Sequence, residues 1–122
     1  MKAYTDLEQS KRLEKILPLS SADMAWYPSY AKEGYSIRML NDTYPLDIIG
    51  EEHDEIPAWS LAALLEIIKK PTAFDLLING RGCRCHCTDK QEGKFYGTDD
   101  YCDTPIDACY EIIIKLHEQK LL

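Results

Sequence analysis

The run Ile56-Pro57-Ala58-Trp59-Ser60-Leu61-Ala62-Ala63-Leu64-Leu65-Glu66-Ile67-Ile68-Lys69-Lys70 is apolar at 56, 59, 61–65, 67 and 68. On a helical wheel Leu61, Leu64, Leu65 and Ile68 share one face, while Trp59, Ala62, Ala63 and Ile67 fill most of the rest. A helix apolar nearly all round is buried on more than one side, so the run predicts the middle of a core. Pro57 suits its first turn and Pro71 its stop. The stretch carries no chemistry of its own, so any function lies on surfaces that it supports.

A chain of 122 residues suffices for one core, and the reading is a single globular domain over 1–122. Hydrophobic content of 45% beside 29% charged residues is that of a water-soluble fold. No apolar run reaches the roughly 18 residues of a membrane span. The opening Met1-Lys2-Ala3-Tyr4-Thr5-Asp6 lacks the apolar core of a signal peptide, which makes the cytoplasm the expected compartment. Net charge is −7, from 21 acidic and 14 basic residues. That balance disfavours direct binding to nucleic acid, which needs a clustered basic footprint. Five cysteines in a reducing compartment do not predict a disulfide scaffold.

Thr5-Asp6-Leu7-Glu8 has capping-box spacing, and Leu7, Leu13, Ile16 and Leu17 form a narrow stripe, predicting a helix over 6–17. Residues 23–27 read as a strand. After a turn at Pro28–Gly34, Tyr35, Ile37 and Met39 alternate with Ser36 and Arg38 as the second arm of a hairpin. Residues 41–55 read as a loop with room for one short strand, ending in Glu51-Glu52-His53-Asp54-Glu55. Phe74–Ile78 is a short strand, followed by a turn at Asn79-Gly80-Arg81-Gly82. Cys83–Thr88 alternates strictly, and Lys94–Thr98 returns. Thr104-Pro105-Ile106-Asp107 opens the last helix, with Thr104 as N-cap and Pro105 as its first residue.

Four stretches carry a family resemblance: Thr5–Leu13, Ser21–Met24, Pro57–Leu65 and Pro105–Glu111. Together they resemble a family of short uncharacterised proteins of Bacteroides-like gut bacteria and their phages or mobile elements. The resemblance implies a bacterial or phage origin and one small domain, and it carries over no site residue.

Cys83, Cys85, His86 and Cys87, with Cys102 and Cys109 further on, are the candidate zinc ligands, since thiolates and imidazole suit that ion. The spacing argues against them. Along a strand Cys83 and Cys85 point the same way about 6.6 Å apart, whereas two sulfurs on one zinc approach to about 3.8 Å. The competing reading is a strand whose thiols pack inward while Arg84 and His86 face the other way. A cysteine–histidine nucleophile would need His86, His53 or His117 within reach of a thiol. The carboxylates at 51, 52, 54, 55, 99, 100 and 103 read as solvated charge. Gly80-Arg81-Gly82 is no phosphate loop, because no Lys-Ser/Thr follows. Trp26, Tyr27, Tyr30 and Tyr35 cluster in the hairpin; Tyr27 and Tyr30, left on its outer side, are the candidate partner-binding residues.

The expected architecture is α+β, with three helices on one face of a small, mostly antiparallel sheet of four to five strands. The expected function is a non-catalytic protein-interaction module, an adaptor or inhibitor, with a protein partner and no cofactor. The alternatives are a small zinc-binding domain using Cys83–Cys87, and an acidic nucleic-acid mimic or antitoxin-like binder. The oligomeric state stays open.

Overall fold

A computed structural model describes residues 2–29, 34–43, 45–46 and 55–122. The chain divides into two compact units, Tyr4–Ser60 and Leu61–Leu122, the second joined by the first residues of the chain.

The first unit holds α1 (Leu7–Glu14), a 3₁₀ turn (Leu19–Ser21), and strands β1 (Met24–Pro28), β2 (Tyr35–Met39) and β3 (Ile56–Ala58). The strands make one antiparallel sheet in the order β2–β1–β3. The capping box lies one residue later than expected. Asp6 accepts from the Gln9 amide at 2.8 Å, and Gln9 Oε1 accepts from the Asp6 amide at 3.1 Å. Asp-x-x-Gln has the same spacing as Thr-x-x-Glu, and the Thr5 hydroxyl is engaged elsewhere. It accepts from the Trp59 amide at 3.1 Å and lies 2.7 Å from Ser10 Oγ.

Ile56–Ala58 is a strand rather than the first turn of a helix. Leu40 N donates to Asp23 O, which makes Ala25 and Arg38 a hydrogen-bonded pair. Ala25 therefore asks nothing of Pro57, which faces it from β3, and the missing N–H costs no ladder bond. The two faces of this sheet are unequally buried. Ala25 is fully buried, while Met39, on the face of Met24, Trp26 and Ile37, is 70% exposed.

The second unit holds α2 (Leu61–Lys69), β4 (Thr72–Asn79), β5 (Gly82–Asp89), β6 (Phe95–Gly97) and α3 (Pro105–Glu118). Its sheet is antiparallel in the order β4–β5–β6. The two helices pack on each other, α3 against β5 and α2 against β4. Leu64, Ile67 and Ile68 of α2 and Ile106, Ile112, Ile113 and Leu116 of α3 are buried. The last helix begins as its sequence predicts: Thr104 Oγ1 accepts from the Asp107 amide at 3.2 Å, with Pro105 inside the first turn. Lys2 Nζ binds Asp107 Oδ1 at 2.7 Å.

The single four- to five-stranded sheet is thus corrected to two three-stranded sheets, with α1 in the first unit and α2 and α3 in the second. The cause is local pairing. β3 runs into Trp59 and Ser60, whose amides are taken by Thr5 Oγ1 and Asp23 Oδ1, and the ladder stops there as the chain enters α2. β4 then finds its partner across the short turn at Gly80 and Arg81, a closure entropically cheaper than a return to β1. Among the described residues no helix is long and apolar enough to cross a membrane.

Candidate interaction surface

The alternation of β5 places its thiols as the inward-strand reading has them. Cys83, Cys85 and Cys87 are buried at 3%, 0% and 2% exposure, under α3. Cys109 of α3 is fully buried and shares a hydrogen bond with Cys85. That bond lowers the Cys85 thiol against the opposing effects of burial and Asp75, and together with burial it holds the proton on Cys109. Burial pushes Cys87 up to about 11. Burial, and then the Glu111 carboxylate 3.4 Å from its sulfur, pushes Cys102 up to about 12. Cys87, Cys102 and Cys109 are therefore thiols at neutral pH rather than nucleophiles. Cys83 and Cys102 meet through their backbones, exchanging two N–H to O bonds of 2.8 Å. Gly82, at φ +130°, permits this approach, since a Cβ there would lie 2.5 Å from the Cys102 carbonyl oxygen. Among the described residues no three His, Cys, Asp or Glu side chains form a metal-holding group.

His86 lies on the other face of β5, opposite Asp75 and edge-on to Phe95 at 5.4 Å between centroids, so it does not meet the strand's thiols. His117 sits at the end of α3, its Nδ1 3.1 Å from Leu122 O. Asp99 pairs with Lys115 at 2.6 Å, and Glu55 takes a two-pronged contact from Arg38, with both bonds at 2.9 Å. Tyr27 is half-buried opposite Ser36, on the face of the buried Ala25. Tyr30, His53, Glu51, Glu52 and Asp54 lie outside the described residues. A surface cavity of about 480 Å³ opens in the first unit between Leu19, Ala22, Leu40 and Leu46. Its Asp23 carboxylate is already spent on the Ser60 amide and hydroxyl.

The side that stands open is β4. Cys83 bonds away from β4 to Cys102, Cys85 O accepts from Thr98 N, and Asp89 N donates to Lys94 O. By alternation, Gly82, Arg84, His86 and Thr88 are the β5 residues that bond β4, through Asn79, Leu77, Asp75 and Ala73. Phe74, Leu76 and Ile78 then present their backbone N–H and C=O groups outward, and among the described residues nothing takes them up. β4 is eight residues long and contains no Lys, Arg or Pro. Leu77 is 42% exposed and Ile78 62%; Phe95, on the same outer face as Leu77, is 62% exposed. A long edge with apolar side chains, and Asp75 as its one charge, is a template for strand pairing.

The sequence reading missed Leu77, Ile78 and Phe95. The available signal was the lack of Lys, Arg and Pro across Thr72–Asn79, the residues that ordinarily guard an edge. Comparison of the chain with family models, with curated proteins and with solved structures finds no match.

Proposed function

We propose that the chain is a non-catalytic protein-interaction module that takes an extended segment of a protein partner along β4. The observation supporting this reading is the outward row of backbone groups at Phe74, Leu76 and Ile78, flanked by exposed Leu77 and Ile78. Strand addition draws affinity from such a row and specificity from pockets for alternate side chains.

A displayed library of short peptides tests the reading. Enriched peptides should alternate apolar residues and bind the parent chain, and Ile78→Lys should abolish that binding. Peptides that bind parent and variant alike would place the interaction elsewhere.

A further inference from the structure

We infer that the occupant of the β4 edge is β4 of a second copy of this chain, giving a two-fold dimer whose sheets join into one. The inference rests on β4 being the interaction surface and adds the identity of the partner.

By the same alternation Thr72 also faces away from β5, but it is buried at 1% exposure, which leaves Phe74, Leu76 and Ile78, symmetric about Leu76, as the open row. An antiparallel copy centred there sets Leu76 against Leu76 and Phe74 against Ile78, each pair exchanging both backbone bonds. These side chains share the face of Cys83, Cys85 and Cys87, so the join continues the apolar layer beneath α3. Ile78, 62% exposed in the single chain, gains Phe74 of the other copy as a neighbour. On the outer face Asp75 stands opposite Leu77, and Ala73 opposite Asn79.

The neighbouring registers are poorer. Centring on Asp75 puts like charges directly opposite each other, which destabilises a sheet pair. Centring on Leu77 sets Phe74 against Gly80, a turn residue with no side chain to pack. Charge and side-chain packing thus select the Leu76 register. The net charge of −7 opposes association of two copies, so added salt should tighten the dimer.

Sedimentation velocity over a concentration series into the high micromolar range tests the inference. The parent chain should reach twice the single-chain mass. Ile78→Lys, which buries an unpaired ammonium in the join, should weaken self-association about a hundred-fold or more. Ile78→Pro, which removes an outward N–H and no bond to β5, should weaken it too. The register is read separately by comparing Asp75→Cys/Leu77→Cys with the Asp75→Cys and Leu77→Cys single variants under oxidised glutathione: pairing centred on Asp75 or Leu77 would cross-link a single variant, whereas the Leu76 register cross-links only the double one. Positions 75 and 77 of the two copies face each other with Cα atoms about 4.5 Å apart, within disulfide reach, so a covalent dimer should form. A parent chain that sediments singly at every concentration overturns the inference. So does a dimer that both Ile78 variants leave intact, or a double variant that cross-links no more than the parent. A singly sedimenting parent whose peptide binding is still lost in Ile78→Lys would overturn self-pairing and leave the β4 reading standing.

Discussion

The two sheets each have three antiparallel strands, yet they treat their edges differently. In the first, β3 is continued by the N-terminal segment: Thr5 N donates to Trp59 O at 2.9 Å, and Tyr4 bridges Ser60. Beside β2, Arg38 ties down Glu55 through two bonds of 2.9 Å and Pro45 O through a third of 2.8 Å. In the second, β6 is only three residues long, and Lys115 Nζ holds Gly97 O at 2.7 Å. Among the described residues β4 has no such cover, and its one charge, Asp75, lies on the outer face. Edges cost a soluble protein an aggregation risk, and they are ordinarily shortened, charged or covered. Among the described residues the bare row on β4 is the observation on which the proposed binding rests.

The comparison can be broken at its strongest tie. Trp59 is fully buried, its amide and carbonyl are bonded to Thr5, and its Nε1 donates to Ser21 Oγ at 3.0 Å. Trp59→Ala should cost about 3–5 kcal/mol, read as a fall in urea midpoint. An unchanged midpoint would mean that the first sheet is not held there. Gly82→Ala probes the guarded side of the second sheet. It forces a side chain into φ +130° and against the Cys102 carbonyl oxygen, at a cost of about 1–3 kcal/mol in the same titration. Arg38→Ala removes a half-buried ion pair and should cost about 1 kcal/mol.

The smallest effect sits at the turn between β5 and β6. There the Asp89 carboxylate accepts from the amides of Glu92, Lys94 and Gln91. Those bonds, led by that from Glu92, hold its pKa below the ordinary aspartate value. A folded-state pKa lowered in this way stabilises fully above the unfolded value of about 3.9 and is lost as pH falls through the folded value. The melting temperatures of parent and Asp89→Asn should therefore differ at neutral pH and converge below about pH 4. A constant gap down to strong acid would remove the turn from this account.

Much of the second unit was legible in the sequence. The Thr104-Pro105 start of α3 and the strict alternation of Cys83–Thr88 each have one physical solution, and both appear as read. Ile56–Ala58 was misread because a continuous apolar run has no period, and Pro57 serves a helix start and an edge strand equally well. The division into two sheets was illegible for a different reason. Which strands pair depends on which backbone groups are already taken, and Thr5 and Asp23 lie far from Trp59 and Ser60 in sequence. The open edge was hidden similarly: Phe74, Leu76 and Ile78 read as ordinary strand residues, and the outward direction of their backbone groups follows only from where Cys83 and Cys85 spend theirs.

Residue-resolved amide exchange across β4, followed from dilute to concentrated solution, tests the central claim most directly. The account predicts slow exchange at Ala73, Asp75 and Leu77 throughout, because these bond β5. Exchange at Phe74, Leu76 and Ile78 should be fast on dilution and slow as concentration rises. Equal protection of all six at every concentration would show that the chain covers its own edge, and would contradict the account.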